Sequence, residues 1–437
     1  MARKLVHPPG FVKAKFALCR RVRLASQVCF GTVPGVGSHR ERMASRSKDI
    51  VIVGGSVIGC ATAYCLTQLG ALDGRRIVVV EKDPSFATCS TARSAGGVRQ
   101  QFSTPENILM SQVMIDLLRN LKVRFGPDAD VSFREQGYLI LASRDGADVL
   151  RSNVETQRAH GADVHLLDPT ALSERFPWLS ADDVACGSFG ASGEGWIDPV
   201  SLTTLFRTAA RAAGVEYLTD AVTGFEVSGR SVVAVTLASG SRLSAGAVVN
   251  AAGPSAGAIA ALAGIRLPVE PRKRYVYVID CRAASEALRQ APLTIDSSGV
   301  WFRPEGQLFI TGVSPDEAHE PPAVDLDEID YGLFEEEVWP RLAARVPVFE
   351  SIKVVNAWAG FYDYNTLDQN AIIGPHPEIR NFYFANGFSG HGLQQSAAAG
   401  RAVAELIVLG EFQTLDLSRF AYERIAEGRP LRELNVI

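Results

Sequence analysis

Two long stretches of the chain, residues 50–72 and 243–265, contain no charged side chain. Each is long enough to cross a bilayer as a helix. Both are rich in glycine and alanine, however, and each pattern predicts a short apolar strand, a glycine turn and a helix of small residues. We therefore expect two buried βα units of an α/β domain, and no membrane span.

The first of these units has an apolar run at 50–53 and a glycine turn at 54–59. A helix that starts in such a turn presents free N–H groups and the positive end of its dipole, which together can bind a pyrophosphate. A second apolar strand at 76–80 is followed by Glu81. A carboxylate at that position can hydrogen-bond ribose hydroxyls and would repel a 2′-phosphate. The unit therefore predicts binding of FAD or NAD and disfavours NADP.

The middle position of the glycine turn holds Ser56, where the G-x-G-x-x-G pattern has a glycine that lets the backbone approach the phosphates. Two interpretations are open. Either the Ser56 hydroxyl hydrogen-bonds a phosphate oxygen, or its Cβ loosens the site. Taken alone, the turn could also serve only to pack a helix on a sheet.

Three further glycine-rich segments lie at residues 90–100, 247–264 and 382–395. The last two each predict a strand, a glycine turn and a small-residue helix, and Pro254 suits the first turn of its helix. The helix that starts near His391 would direct its positive N-terminus at the end of the sheet, where it can stabilise negative charge on a reduced flavin. A nicotinamide does not need this stabilisation of negative charge, so the pattern favours FAD. We interpret His391 as a cap or packing residue in preference to a base.

Composition indicates an ordinary globular protein, because 47% of the 437 residues are hydrophobic and 21% are charged. The net charge of −4 hides a division: residues 1–48 hold eleven basic residues and one acid, a net charge of +10, which leaves −14 for the rest. An arginine-rich, amphipathic leader is typical of a mitochondrial transit segment, which we place at residues 1–46. The alternatives are a plain basic tail or one that binds nucleic acid, and the acidic body makes us expect no nucleic-acid binding.

Two further compositional features bear on partners. The seven cysteines include no C-x-x-C pair, and neither they nor the seven histidines show metal-ligand spacing, so we expect no metal site. Residues 304–340 contain eleven acids and no Lys or Arg. Such a run is usually a solvated face, and the alternative is a patch for a basic partner.

The four glycine segments, in this order and near these spacings, resemble the D-amino-acid oxidase/sarcosine oxidase (DAO) superfamily of FAD enzymes. The resemblance covers residues 49–430. Longer strings at 267–278, 358–370 and 387–395 resemble, more narrowly, mitochondrial flavoproteins associated with the assembly of respiratory complex I. This second resemblance implies complex I subunits or assembly intermediates as partners.

The resemblance implies an α/β fold in which a glutathione-reductase-like, FAD-binding Rossmann domain is interleaved with an antiparallel-sheet substrate domain. We expect the FAD-binding domain at residues 48–102, 198–270 and 365–430, and the substrate domain at 103–197 and 271–364. Strand-like stretches between the glycine units, at 137–142, 275–281, 307–313 and 352–360, support this interleaving. Asp198 and Pro199 predict the N-cap and first position of a helix that returns the chain to the FAD-binding domain.

The predicted cofactor contacts come from the glycine segments, from the end of the second strand, and from a family position that contacts the adenine side through its backbone, here Val222. They are Gly54, Gly55, Ser56, Val57, Ile58, Gly59, Glu81, Lys82, Ser94, Ala95, Gly96, Gly97, Val222, Ala252, Gly253, Gly387, Ser389, Gly390, His391, Gly392, Leu393 and Gln394. No residue matches a covalent flavin attachment, so we expect non-covalent FAD.

Members of the superfamily oxidise a C–N bond by hydride transfer to the flavin, so no covalent catalytic residue is expected. The candidates for substrate contacts are Arg303, Tyr362, Tyr364 and the basic run at 272–274, which includes Lys273. Related amino-acid oxidases often place their carboxylate-binding arginine after a proline, whereas Arg303 precedes Pro304, and this offset would reverse its facing on a strand. A salt bridge at the surface or between domains is the alternative for Arg303. The basic run is expected to be a solvated strand with one inward member.

Two functions remain open from the sequence. One is a mitochondrial dehydrogenase or oxidase that acts on a small amine or amino acid. The other is a factor for the assembly of NADH dehydrogenase (complex I), located in the matrix or peripherally on the inner membrane.

Overall fold

The computed structural model describes residues 50–70, 73–315, 320, 323 and 325–434. The transit segment predicted at 1–46 lies outside the described residues, as does part of the acidic stretch at 304–340.

The described residues form strands and helices that belong to two interleaved units. The strands are β1 (Ile50–Val53), β2 (Ile77–Glu81), β3 (Gly97–Val98), β4 (Tyr138–Ala142), β5 (Val164–Leu167), β6 (Cys186–Gly190), β7 (Gly195–Trp196), β8 (Glu216–Thr219), β9 (Val222–Ser228), β10 (Ser231–Leu237), β11 (Arg242–Ser244), β12 (Ala247–Asn250), β13 (Val269–Asp280), β14 (Leu293–Ile295), β15 (Trp301–Glu305), β16 (Leu308–Gly312), β17 (Lys353–Asn365), β18 (Ile372–Pro375) and β19 (Phe382–Asn386). The α-helices are α1 (Val57–Gln68), α2 (Pro105–Arg119), α3 (Leu121–Phe125), α4 (Ala147–Ala159), α5 (Pro169–Arg175), α6 (Pro199–Ala212), α7 (Ala256–Ala261), α8 (Glu286–Arg289), α9 (Tyr331–Leu333), α10 (Trp339–Arg345), α11 (Gly392–Val408) and α12 (Glu423–Ala426). A π-helical turn at Phe334–Val338 joins α9 to α10.

The first sheet contains six strands in the order β18-β19-β12-β1-β2-β8, parallel throughout except for the β18/β19 pair. Strand β1 lies inside this sheet, and its side chains alternate between two covered faces. Ile50 and Ile52 pack against α1, α2, α6 and α11, whereas Val51 and Val53 pack against β9, β10 and α7. A strand covered on both faces has to be apolar throughout, which explains the continuous apolar run in the sequence.

The helices, the six-stranded sheet and the small antiparallel sheet β11-β10-β9 form three layers. Helix α6 begins as the sequence predicts, because the Asp198 carboxylate accepts hydrogen bonds from the N–H groups of Val200 and Ser201 at 3.0 and 3.2 Å. The second uncharged stretch forms β12, a 3₁₀ turn that contains Pro254, and α7. No helix in the described part of the chain is both long and apolar enough to span a bilayer.

The second large sheet contains eight strands in the order β17-β13-β16-β15-β14-β4-β6-β5. It is antiparallel except for the parallel β4/β14 pair. Strands β13 and β17 are longer than the sequence predicts, because they pair with each other from Val269/Asn365 to Asp280/Lys353. Strand β13 therefore includes the basic run, as predicted, and begins before the strand-like stretch at 275–281. The expected α/β fold with an interleaved, mainly antiparallel second sheet is confirmed.

A segment near the end of the described chain anchors the start of α2. The Glu433 carboxylate accepts hydrogen bonds from the N–H groups of Ser103 and Thr104 at 2.6 and 3.0 Å, and from Asn107 Nδ2 at 2.9 Å. Thr104 is the N-cap of α2 and makes no side-chain cap of its own. Glu433 lies far away in the sequence, and its carboxylate accepts hydrogen bonds from backbone N–H groups at the start of this helix.

Candidate functional site

A cavity of about 610 Å³ lies between the carboxyl ends of β1, β2 and β12 and the eight-stranded sheet. Its lining includes Glu81 and Val222 on the side of the parallel sheet, and Tyr138 and Tyr362 on the side of the other sheet. Ligands of open parallel sheets bind outside the carboxyl ends of the strands, and this volume lies in the range of cofactor pockets. The cavity is therefore the candidate site.

The glycine turn between β1 and α1 forms one wall of this cavity. Gly54 has a φ of +100°, and a Cβ on it would lie 2.3 Å from the carbonyl oxygen of Ala251. A Cβ on Gly59 would lie 1.9 Å from the carbonyl oxygen of Gly54. Both positions therefore require glycine, as the fingerprint predicts.

Ser56 occupies the N-cap position of α1 but makes no side-chain cap. Its Oγ lies 2.8 Å from Thr91 Oγ1, within the second glycine segment. The structure thus gives Ser56 a role that the sequence did not suggest, because its hydroxyl links two cofactor-facing loops. The N–H groups at the start of α1 are left to face the cavity.

The carboxylate of Glu81 lies at the end of β2, as predicted, and lines the cavity. It accepts hydrogen bonds from the N–H groups of Gly55 at 2.7 Å and Asp83 at 2.8 Å. These bonds fix the carboxylate beside the glycine turn. Each carboxylate oxygen has a second lone-pair direction, so the group can still accept a bond from a ribose hydroxyl.

The N-terminus of α11 forms another wall, and His391 is its N-cap residue without a side-chain cap bond. The imidazole packs edge-on against Phe102, with ring centroids 5.1 Å apart. Its Nε2 lies 3.2 Å from Nη2 of Arg99. Because a guanidinium can only donate, Nε2 is the acceptor and the ring proton resides on Nδ1. Burial and the nearby Arg99 charge hold the pKa of His391 well below its usual range, so the ring is neutral at pH 7.

Backbone and side-chain groups around the cavity fit a dinucleotide with a diphosphate and a flat ring system. The starts of α1 and α11 both lack side-chain caps, so their N–H groups are available to a ligand. Within the described residues, the Oγ of Ser90 is buried without a hydrogen-bond partner and belongs to the cavity lining. A ligand oxygen or phosphate would satisfy these donors.

Arg274, Tyr362 and Asp363 lie together on β13 and β17, where these strands border the cavity. The guanidinium of Arg274 stacks over the Tyr362 ring at 5.3 Å and forms a two-pronged ion pair with Glu320. The ring of Tyr362 also packs against Gly390, where a Cβ would lie 2.6 Å from it. Asp363 Oδ2 accepts a hydrogen bond from the N–H of Phe388 at 3.1 Å.

Most of the predicted cofactor contacts line the cavity. They are Gly54, Ser56, Val57, Ile58, Glu81, Lys82, Ser94, Ala95, Gly97, Val222, Ala252, Gly253, Gly390, His391, Gly392, Leu393 and Gln394. Five others, Gly55, Gly59, Gly96, Gly387 and Ser389, lie behind the cavity wall. A Cβ on Gly96, for example, would lie 2.2 Å from the carbonyl oxygen of Ile197. Direct contact of each residue with FAD stays a prediction.

The substrate-side candidates differ in their placement, and Tyr364 and Arg272 do not line the cavity. Tyr362 lines the cavity, whereas Arg303 and Lys273 do not. Arg303 is buried, donates from Nε to the carbonyl oxygen of Ala95 at 3.0 Å and pairs with Glu305, so it ties the flavin-side loop to β15. The ion pair lies within β15, so the contact of Arg303 with the other unit is a hydrogen bond and not a salt bridge between domains.

Lys273 points away from the cavity, and its Nζ donates to the carbonyl oxygen of Glu328 at 2.7 Å. The expectation of a solvated strand with one inward member was wrong, because two members of the run, Lys273 and Arg274, are buried. Adjacent residues on a strand face opposite sides, and here both sides of β13 are covered. The member of the run at the cavity is Arg274.

Sequence reasoning missed Arg99, Asp363 and Glu194. Arg99 lies at the end of the second glycine segment and lines the cavity, and its N–H donates to Gln394 Oε1 at 2.7 Å. Glu194 is fully buried behind it and accepts hydrogen bonds from the Gln100 N–H at 2.6 Å and from Gln101 Nε2 at 2.8 Å. Burial raises the pKa of Glu194 to about 7. A charged residue beside a glycine pair was the available signal for Arg99.

A three-layer dinucleotide-binding unit that shares its cavity with a mainly antiparallel sheet defines a flavoenzyme fold. The chain belongs to the FAD dependent oxidoreductase family (DAO), whose model matches residues 49–406. The cofactor is therefore FAD, as the fourth glycine segment and the resemblance predict.

Individual relatives agree with this assignment. The chain is 44% identical over 428 residues to "FAD-dependent oxidoreductase domain-containing protein 1" of Xenopus laevis, which covers 89% of this chain and 85% of that protein. It is 27% identical to human mitochondrial sarcosine dehydrogenase, over 88% of this chain and 43% of that protein. The crystal structure of L-proline dehydrogenase from P. horikoshii superposes with a TM-score of 0.77 at 28% identity, over 88% of this chain and 99% of that one.

Proposed function

We propose that this FAD oxidoreductase oxidises the C–N bond of a small amine or amino acid. The observation that carries the proposal is a cavity that joins two helix N-termini without side-chain caps to a polar region at Arg274, Tyr362 and Asp363. The first part suits the dinucleotide, and the second suits a small substrate beside the flavin ring. The similarity to sarcosine, dimethylglycine and L-proline dehydrogenases supports this substrate class.

FAD, when bound, supplies the acceptor for a hydride from the carbon next to the substrate nitrogen. The chain contributes positive potential where negative charge would develop on the reduced ring. The α11 N-terminus supplies one part of it and the Arg99 guanidinium supplies another, and the neutral His391 ring orients Arg99 by accepting its N–H. The eight-stranded sheet borders the substrate region, and exclusion of water by bound substrate would strengthen these interactions.

The reaction is tested by anaerobic titration of the purified yellow protein with sarcosine, dimethylglycine, L-proline and N-methylbenzylamine. Bleaching of the visible flavin band by any of them is the expected result, because hydride transfer reduces the flavin. Absence of bleaching with all four would contradict the proposed oxidation of this substrate class. Non-covalent attachment is checked on the same sample, because acid precipitation should then release all the flavin into the supernatant.

A second function, participation in the assembly of respiratory complex I, is also proposed. It is favoured by a groove in the second unit lined by Tyr331, Glu335, Trp339 and Val355, of which Tyr331 is 49% and Trp339 38% exposed. Glu335 of the groove and its neighbour Glu336 are exposed acids of the acidic stretch. Acids next to exposed apolar side chains suit a basic partner surface, such as a complex I subunit or assembly intermediate.

Charge reversal tests this second function. Replacement of Glu335 and Glu336 by lysine should abolish co-purification of complex I subunits and leave the flavin content unchanged. The control replaces two exposed acids elsewhere, Glu155 and Glu174, and should leave co-purification unchanged. Retention of the complex I subunits by the groove variant would contradict the proposed surface.

The compartment that we propose is the mitochondrion, either the matrix or the matrix face of the inner membrane. The basic, acid-poor composition of residues 1–48 supports it. Import of the full chain into isolated mitochondria should depend on residues 1–46. Equal import of a chain without them would contradict this assignment.

A further inference from the structure

One part of the cavity wall is hydrophobic. Between residues 276 and 301, every described residue that lines the cavity has a hydrophobic side chain. These residues belong to β13, β14 and β15 of the eight-stranded sheet, and they are Val276, Leu293, Ile295 and Trp301. We call this set the apolar wall.

The register of the strands places the apolar wall on one face of the sheet. Ile295 lies opposite Trp301, and residues directly opposite each other have their side chains on the same face. Leu293 shares this face because it is two positions away from Ile295. Trp301 also packs against the cluster that contains Val276. The four side chains therefore form one continuous surface.

The indole of Trp301 lies across the neighbouring strand β16. Trp301 is opposite Gly312, and a Cβ on Gly312 would lie 3.0 Å from Cζ2 of the indole. The glycine thus allows the indole to lie close to the sheet. Trp301 is only partly buried, whereas the other three members of the wall are at most 7% exposed. The indole therefore supplies most of the apolar surface that a ligand can reach.

The apolar wall lies beside the second glycine segment, which we expect to contact the cofactor. At one end of the wall, Ala95 packs against the same cluster as Trp301. At the other end, Tyr138 lies opposite Leu293, and a Cβ on Gly97 would lie 2.0 Å from the Tyr138 hydroxyl oxygen. A substituent on a substrate that reacts at the flavin can therefore reach the wall.

The apolar wall is too large for a substrate whose only apolar substituents are methyl groups. Sarcosine and dimethylglycine would leave much of the indole in contact with water. A phenyl or branched alkyl group would cover it, and removal of apolar surface from water favours binding. An aromatic group would gain further from stacking on the indole.

We propose that the substrate amine or amino acid carries a bulky apolar substituent, aromatic or branched aliphatic, that packs on the indole of Trp301. This inference rests on the proposed oxidation of a C–N bond and narrows its substrate class. The flavin acts on the C–N bond, and the apolar wall selects among amines by the size of the substituent.

The test compares ligands that differ only in this substituent. The probes are two matched pairs, dimethylamine with N-methylbenzylamine and sarcosine with N-benzylglycine, in which benzyl replaces one methyl group. Anaerobic titration of the FAD-loaded protein gives each dissociation constant from the change in the visible flavin spectrum, or from saturation of the bleaching rate where the flavin is reduced. The wild-type protein should bind the benzyl member of at least one pair at least about tenfold more tightly than the methyl member.

Two replacements in the wall should remove this preference. Trp301→Ala takes away the indole and should lower the preference at least about fivefold, with the affinity for the methyl member within about twofold of wild type. Val276→Phe fills the space of the substituent and should have the same effect. Retained FAD shows that each variant folds, and Val276→Phe decides if Trp301→Ala loses its flavin.

Trp178→Ala is the matched control for the loss of an indole. Trp178 is also partly buried and packs against Phe302 of β15, at a ring-centroid distance of 5.7 Å, but it does not line the cavity. This variant should keep the wild-type preference for the benzyl members.

Two results would overturn the inference. One is a wild-type protein that binds neither benzyl compound more tightly than its methyl counterpart, or that responds to none of the four probes. The other is a preference that persists in the flavin-loaded wall variants. Failure of the proposed oxidation looks different, because the benzyl compounds would then bind with the expected preference and perturb the flavin spectrum without bleaching it.

Discussion

The buried carboxyl group of Glu194, next to the candidate site, makes the stability of the protein depend on pH. It accepts hydrogen bonds from the backbone N–H of Gln100, next to Arg99, and from the side chain of Gln101, and burial raises its pKa to about 7. A folded-state pKa above the unfolded value means that the folded protein binds more protons, so stability falls as pH rises from about 4.5 to 7. The free energy of unfolding falls by about 3 kcal/mol at most over this pH range.

We predict that Glu194→Gln flattens this dependence, because glutamine does not titrate. Urea unfolding at pH 5 and pH 8, followed by flavin fluorescence, should show a smaller drop in the free energy of unfolding than in the wild type. Glu135→Gln, a nearby exposed position, should retain the wild-type drop. Equal drops in all three proteins would show that Glu194 does not titrate in this range.

Ser56 provides a second prediction at the residue scale. Because its hydroxyl bonds to Thr91 and does not cap α1, Ser56→Gly should change the FAD dissociation constant by less than about tenfold. Gly54→Ala should abolish FAD binding, because its Cβ would overlap the Ala251 carbonyl and its φ is +100°. Titration of the flavin-free protein with FAD, read by fluorescence quenching, measures both. Loss of FAD by Ser56→Gly would instead give its hydroxyl a phosphate-binding role.

At the scale of elements, α1 and α11 cross closely enough that their side chains have to be small. A Cβ on Gly400 would lie 2.7 Å from the backbone of Ala61 and Thr62. Both helices also open at the cavity, so their separation sets the distance between the two N-termini that face FAD. The small residues after each glycine turn therefore allow the two helices to pack closely, and this packing also sets the positions of the N-termini that face FAD.

We predict that Gly400→Ala lowers stability by about 1–3 kcal/mol and weakens FAD binding, because the helices have to move apart. Thermal unfolding followed by flavin release measures both effects. Gly224→Ala is the control, since its Cβ would meet only Thr236 Cβ at an ordinary 3.9 Å. A wild-type melting temperature for Gly400→Ala would contradict the close crossing.

The whole molecule depends on contacts between distant parts of the sequence, and Glu433 provides an example. Its carboxylate serves the start of α2, which follows directly on the segment that contains Arg99. Glu433→Ala should lower stability by about 2 kcal/mol, because buried N–H groups lose their acceptor. Thermal unfolding checks this against Glu427→Ala, which removes an exposed acid that pairs with the nearby Arg429. Equal melting temperatures for the two variants would contradict the anchoring role.

The same separation in sequence explains what could be predicted without the structure. The glycine segments were recognisable because strand, turn and helix follow one another locally, and the α/β fold could be derived from them. The Arg99–His391 contact joins residues 292 positions apart, and the Glu433–Ser103 contact joins residues 330 positions apart. No local pattern encodes such pairs. The burial of Lys273 and Arg274 was not predicted for a related reason, since the elements that cover these side chains lie elsewhere in the chain.

The interleaving of the two units has a consequence for protein synthesis. A nascent chain leaves the ribosome with β1 and its glycine turn first, whereas α11 and Glu433 are translated last. The cofactor pocket is incomplete until then. The apolar faces of β1 and α1 stay exposed until the elements that pack against them have been translated. We therefore expect a nascent chain to bind flavin only after α11, the last helix of the pocket, has been translated. A premature stop codon at any earlier point should yield a colourless product and a client for chaperones, with no partly active enzyme.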